Sequence, residues 1–288
     1  MMGLYHILTS AESEQIKKEE MQKIVLSALS KAGFFNEAVF YGGTCLRLIY
    51  GLDRFSEDMD FSLLEKNPNF SLEKYFPAII SEFKMRGREI EIKKKEKQSF
   101  GKVQSAFLKD NTDVYDLKFQ TEKTPKIKIE TDFLPPLNFR TETKALTGDE
   151  QIAVRTMTLP CLFAGKMHAL LYRGWKTRVK GRDWYDFEWY INNQIPLDFE
   201  HFKTRVKEFN NSDIDKDTFR VILLNKINEV SFDAAKEDVR PFIKDPSKLE
   251  HWTKDYFREL SKKITFQKNL SQNIENIPTR KKSFGPKL

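Results

Sequence analysis

Apolar and polar positions change period several times along this chain, and each change marks an element. Between positions 11 and 32, Ile16, Ile24, Leu26 and Leu29 stand among charged residues at helical spacing, which predicts an amphipathic helix stopped by Gly33. Ala38-Val39-Phe40-Tyr41 is a short continuous apolar run and predicts a buried strand. Gly42 and Gly43 follow as a turn, Thr44 is placed to cap a two-turn helix carrying Leu46, Leu48 and Ile49, and Gly51 ends it. The pattern then alternates. Ser56, Asp58, Asp60 and Ser62 share one strand face, Phe55, Met59, Phe61 and Leu63 share the other, and Glu57 is the misfit.

Further on, Ser71 caps a helix with Phe76, Ile79, Ile80 and Phe83 at helical spacing before Gly87, and strands are predicted at 88–96, 103–109, 113–120 and 125–133. In the last of these, Ile127, Ile129 and Phe133 pack inward while Lys128, Glu130 and Asp132 share the opposite face. From Thr158 the chain turns helical. A helix over Leu159–Arg173 carries Leu159, Leu162, Phe163, Ala169 and Leu170 as its stripe, with Lys166 in the middle of it. A second helix starts at Asp183 and places Asp183, Asp186, Phe187 and Tyr190 on one face. Helices at 198–209, 217–230 and 246–264 carry no evident chemistry. The predicted organisation is an α/β domain over 1–150, a helical domain over 151–272 and a mobile basic tail over 273–288.

Composition narrows the class. With 288 residues, 40% of them hydrophobic, the chain can bury a substantial core. It has neither a continuous apolar run long enough for a membrane span nor a signal-peptide core at Met1-Met2-Gly3-Leu4-Tyr5-His6, so a cytoplasmic protein is expected. Its two cysteines, Cys45 and Cys161, make neither a disulfide framework nor a thiolate metal site. His6, His168, His201 and His251 have no metal-ligand spacing, and His168 reads as structural. The net charge is +7, but Arg280, Lys281, Lys282 and Lys287 in the tail supply four of those charges, so local clusters matter more than the total.

Two clusters bear on function. Backbone N–H groups at a glycine-opened helix start favour phosphate. Asp58 and Asp60 lie about 6.5 Å apart along a strand, close enough to share one Mg²⁺ or bracket two, because hard cations take oxygen ligands. The combination suits a metal-bound nucleoside triphosphate, with Arg54 and Ser56 leading in. Lys166 must either snorkel or aim its ammonium into a polar cleft, since a buried unpaired cation is costly. The stretch from Arg173 to Arg182 holds five cations and Trp175; it reads equally as an RNA-binding loop or a solvated linker. P-loop, His-Glu-x-x-His and Gly-x-Ser-x-Gly motifs are absent.

Gly43-Thr44-x-Leu46-Arg47-Leu48 after Gly42, followed by Arg54-x-Ser56-x-Asp58-x-Asp60-Phe61, resembles motif I of the AbiEii/AbiGii toxin family, to which the MenT toxins are related. Lys166-x-x-Ala169 resembles its motif III, and Arg182-Asp183-x-Tyr185-Asp186 its motif IV. The resemblance spans about half the chain, from Ala38 to Ile191. It implies an α+β fold: a polymerase-β-like nucleotidyltransferase mixed sheet flanked by helices, followed by a helical C-terminal lobe, with a cleft between them for NTP and Mg²⁺ (or Mn²⁺). By that resemblance Asp58 and Asp60 bind metal, joined by Glu130 or Asp132 from a later strand. Glu130 is favoured because Lys128-Ile129-Glu130 resembles the family's Lys-Ile-Asp. Gly42, Gly43, Thr44, Arg54 and Ser56 are nucleotide-binding, Arg47 or Lys166 neutralises the leaving pyrophosphate, and Asp183, with or without Asp186, orients the acceptor or acts as base. The implied activity is transfer of NMP to an acceptor such as the tRNA 3′ end. A cognate antitoxin encoded nearby is expected, without a stable complex. A non-catalytic nucleotide- or RNA-binding module and a protein-nucleotidylating enzyme are the alternatives.

Overall fold

A mixed sheet forms the centre of the molecule, and the order of its strands decides which side chains meet. The computed structural model describes residues 10–95, 112–119, 126–146, 151–173 and 179–268. The predicted strand at 103–109, Trp175 of the basic loop and the 273–288 tail lie outside the described residues. In chain order the elements begin with α1 (Ser10–Lys31), β1 (Ala38–Tyr41), α2 (Gly42–Tyr50), β2 (Asp58–Leu63), α3 (Phe76–Met85), β3 (Ile90–Lys94), β4 (Thr112–Phe119) and β5 (Ile127–Asp132). They continue with β6 (Thr141–Leu146), β7 (Ile152–Met157), α4 (Leu159–Tyr172), α5 (Gly181–Asn192), α6 (Phe199–Asn210), α7 (Lys216–Glu229), α8 (Phe232–Val239) and α9 (Lys254–Lys262).

Among the described residues, seven strands run in the order β3-β4-β5-β2-β1-β7-β6. β2 pairs antiparallel with β1 and parallel with β5, so the two strands that carry acidic residues lie side by side at the middle of the sheet. Their inward faces are apolar but for Thr131: Met59, Phe61, Ile127 and Ile129 are buried and pack with Phe34, Phe40, Leu26 and Phe83. The acidic positions therefore point to the other side. The apolar cluster continues from the sheet through Phe163 and Met167 of α4, Phe187 and Tyr190 of α5 and Phe257 of α9. Among the described residues, no helix is long and apolar enough to cross a membrane.

Several expectations shift in detail. The strands β6 and β7 were not foreseen, and β7 pairs in parallel with β1, so the sheet extends past position 150 to Met157. The helix predicted over 246–264 is two pieces, a 3-10 turn at Pro246–Leu249 and α9, because the Thr253 hydroxyl accepts from the Tyr256 N–H at 3.1 Å and starts a new helix. α2 begins at Gly42 with Tyr41 as its cap residue, so Thr44 sits inside the helix and does other work. Gly33, Gly51 and Gly87 stop their helices as expected, each with a positive φ.

Candidate active site

The turn from β1 into α2 is pressed against the Asp58-x-Asp60 strand. Gly42 has φ +79°, and a Cβ there would lie 2.2 Å from Asp60 Oδ2, so only glycine lets the chain turn this close to the carboxylate. A Cβ on Gly43 would meet Arg54 Nη2 and Ser56 Oγ, both at 2.9 Å. Thr44 ties the helix to the strand. Its Oγ1 stands 2.5 Å from the Asp58 carbonyl oxygen and 2.9 Å from Ser56 Oγ. A hydroxyl has one proton, and the carbonyl can only accept, so Thr44 donates to Asp58 and accepts from Ser56.

Register brings the acidic side chains together. Asp58 lies opposite Lys128, Asp60 opposite Glu130 and Ser62 opposite Asp132, while Tyr41 of β1 flanks Asp60 on the other side. Burial pushes the Asp58 carboxyl up, tempered by Lys128. Burial pushes Asp60 well above the ordinary range, and the neighbouring Glu130 and Asp58 charges add to it. The Lys166 ammonium lies close enough to act on Asp60 in the opposite direction. Lys128 Nζ bonds Glu130 and stands 3.9 Å from Asp58 Oδ2. Asp132 follows two positions along β5 from Glu130, opposite Ser62. Its Oδ1 accepts from the Leu134 N–H at 3.1 Å, and burial pushes its pKa to about 6, with Arg205 tempering the shift.

Among the described residues, no three acidic, His or Cys side chains form a ready metal cage. The donor set nevertheless suits Mg²⁺, which is ordinarily held by one or two carboxylates together with substrate phosphate oxygens and water. Asp58 and Asp60 meet that description, with Glu130 beside them in register.

On the helical side, Lys166 of α4 reaches Asp183 Oδ1 and Asp186 Oδ2 of α5, each at 2.8 Å. Burial works against its charge, yet the two aspartates outweigh burial and hold the ammonium above the usual lysine range. Burial likewise works to raise Asp183, but Lys166 holds that carboxyl below the usual range. Asp183 Oδ2 has no hydrogen-bond partner among the described residues. Asp186, fully buried, is gripped by the Arg54 fork, with Nε to Oδ1 at 2.6 Å and Nη2 to Oδ2 at 2.7 Å. A chain of contacts thus runs from Asp60 through Gly42, Gly43 and Arg54 to Asp186, Lys166 and Asp183. It joins the motif I residues to those of motifs III and IV.

Arg47 is engaged elsewhere: its Nε pairs with Glu19 of α1 at 2.6 Å, its Nη1 donates to the Leu52 carbonyl at 3.0 Å, and its guanidinium covers the Phe55 ring. Glu57, the misfit of the strand pattern, bonds Lys18 at 3.0 Å and lies 3.7 Å from Arg182, which ties α1 and α5 to the start of β2. Sequence reasoning passed over Arg205 of α6, a residue 8% exposed whose Nε has no hydrogen-bond partner among the described residues. It lies near Tyr41 and Asp132, and burial pushes its pKa down. The signal was there: like Lys166, it interrupts an apolar helical stripe, here Phe202 and Val206. His168 is structural as expected, buried and bonded to Asn210 at 2.9 Å.

The chain is a nucleotidyltransferase. It belongs to the nucleotidyl transferase AbiEii toxin family of type IV toxin–antitoxin systems, whose model matches residues 24–267. JHP933 from Helicobacter pylori has a similar fold, with a TM-score of 0.50 and 19% identity over 89% of this chain and 92% of that one. A presumed nucleotidyltransferase from H. pylori matches with a TM-score of 0.48 and 18% identity, over 88% of this chain and 95% of that one. No curated protein matches the chain.

Proposed function

We propose that this toxin transfers a nucleoside monophosphate from an NTP to an RNA acceptor, with the tRNA 3′ end as the target, and arrests growth by blocking translation in the cytoplasm. The observation that carries this reading is the meeting of Asp58, Asp60 and Glu130 on one sheet face with Lys166 within electrostatic reach of Asp60. In this reading the sheet lobe and the helical lobe clasp the substrates between them, with the buried Arg54–Asp186 pair as the tie.

Asp58 and Asp60, with Glu130 beside them, would hold Mg²⁺ or Mn²⁺. Such an ion supplies Lewis-acid polarisation of the phosphoryl group and eases ionisation of the attacking hydroxyl. Gly42 and Gly43 give the triphosphate a bare backbone to approach at the start of α2. Thr44 and Ser56 hold that turn against Asp58. Lys166 stays an ammonium, so it stabilises charge growing on the departing pyrophosphate and does not take a proton. Asp183, held below the usual carboxyl range, is a poor base; its unpartnered Oδ2 instead suits orienting an acceptor hydroxyl. Asp186 and Arg54 fix Lys166 and Asp183 in place. Phosphoryl transfer asks mainly for positioning and charge stabilisation, which these groups provide. The cognate antitoxin acts without a stable complex in this reading.

The test is expression of wild type and Asp58→Ala in a bacterial host without the antitoxin. The reading expects arrest by the wild type and growth with the variant. Equal arrest by both would mean that the toxin acts by binding nucleotide or RNA rather than by turnover.

A further inference from the structure

Lys128 has no part in the functional reading so far, yet it occupies the centre of the acidic face. It shares that face with Glu130 on β5 and lies opposite Asp58 in the β2–β5 register. Its Nζ bonds Glu130 and is 3.9 Å from Asp58 Oδ2, so the ammonium stands between the two carboxylates. We propose that Lys128 is the resident counter-ion of the carboxylate cluster: it keeps a free divalent cation out, so that the ion enters only together with the triphosphate. This rests on the reading of Asp58, Asp60 and Glu130 as the seat of a metal-bound NTP.

Two observations carry the inference. Asp58, Asp60 and Glu130 repel one another on a partly buried face, and an internal cation is what lets them stay close without a bound ion. The Lys128 ammonium meets that need by position, bonded to Glu130 and 3.9 Å from Asp58 Oδ2. The side chain is 32% exposed, which leaves the long flexible stem room to swing aside. A free divalent cation would have to displace the ammonium for the sake of three carboxylates alone. An ion arriving on a triphosphate brings its own oxygen ligands and offers the displaced lysine a new anion to face. A fixed positive charge about 4 Å from a cation site weakens binding of that cation by at least about tenfold.

Mn²⁺ titrations followed by electron paramagnetic resonance read this directly, using the full chain with and without α,β-methylene NTPs. Wild type is expected to bind Mn²⁺ weakly alone and tightly with one of the nucleotides. Lys128→Met and Lys128→Gln, checked for folding by circular dichroism, should bind Mn²⁺ alone at least about tenfold more tightly than wild type. Lys128→Arg should behave as wild type, and adding Asp60→Asn to Lys128→Met should abolish the gain. Wild type binding Mn²⁺ alone as tightly as Lys128→Met overturns the counter-ion role while leaving the metal reading standing. Failure of every form to bind Mn²⁺ with any nucleotide overturns the metal reading, and the inference with it.

Discussion

Gly42 shows how narrow the tolerances are at single residues. Its φ of +79° and the 2.2 Å approach of a would-be Cβ to Asp60 Oδ2 mean that Gly42→Ala must move either the turn or the carboxylate. The backbone penalty is about 1–2 kcal/mol, small against the stability of a domain this size. Gly42→Ala is therefore expected to fold, with a thermal midpoint only a few degrees lower, and to lose at least about a hundredfold in transfer rate because a displaced reacting group is costly. A melting curve and a rate measured on the same sample check both halves. Much at this scale was legible from the sequence. The alternation around Asp58 and Asp60 placed them on one face; Lys166, expected to snorkel or to enter a polar cleft, turns inward, but its pairing with Asp183 and Asp186 was not foreseen. The destination of Arg47 was not legible, because Glu19, which claims it, is distant in sequence and nothing in either pattern links the two. Lys128 was placed on the right face, but alternation alone does not say which carboxylate a lysine will meet.

Among elements, α5 matters most, since it carries Asp183 and Asp186 and is docked through buried charge. Arg54 is 2% exposed and Asp186 wholly buried. Removing Arg54 leaves the buried Asp186 with Lys166 as its remaining counter-charge, at a cost of up to about 3–5 kcal/mol. Arg54→Met should lose roughly that much in urea unfolding at neutral pH, while Arg54→Met combined with Asp186→Leu should be less destabilised than the single variant, as expected when the stranded charge is removed as well. Additive losses in the double variant would show that the pair is not the tie. The elements the sequence revealed were those with a strong apolar period, such as β1, β2, β5 and α4. Two of those it concealed, β6 and α8, lack that period. β6, Thr141–Leu146, is an edge strand with one fully buried position, held by its pairing with β7. α8 makes little more than two turns, and its buried Phe232, Ala235 and Val239 are too few to establish a period. The 246–264 stretch read as continuous because Trp252 and Phe257 keep helical rhythm across the break that Thr253 caps.

At the scale of the whole molecule, its two buried histidines should withdraw stability on mild acidification. His168 and His201 are buried, and burial, with Arg205 nearby, depresses both from 6.5 to about 3. The unfolded chain takes up these protons below about pH 6.5 while the folded protein does not, so their contribution is complete above pH 6.5 and declines toward pH 3. Asp132, raised to about 6, works the other way, since the folded state binds its proton first as pH falls. Asp58 and Asp60, also raised, act in the same sense as Asp132. Comparison with a variant isolates the histidine share: in denaturant unfolding at pH 7 and pH 5, wild type should lose about 2 kcal/mol more over the interval than His168→Gln. A variant whose stability changes with pH just as the wild type's does would contradict the burial of His168 as a neutral group.

The central claim is that the acidic face and the lysine-bearing helices form one nucleotidyl-transfer site. The most direct measurement incubates purified wild-type protein and Asp60→Asn with each α-³²P-labelled NTP, Mg²⁺ and total bacterial tRNA, and follows the label into RNA and into protein. The account predicts that wild type places label from at least one nucleotide on tRNA, that Asp60→Asn at equal folding does not, and that withdrawing Mg²⁺ with a chelator stops transfer. Label appearing on tRNA at the same rate with Asp60→Asn, or entering protein and never RNA, would contradict it.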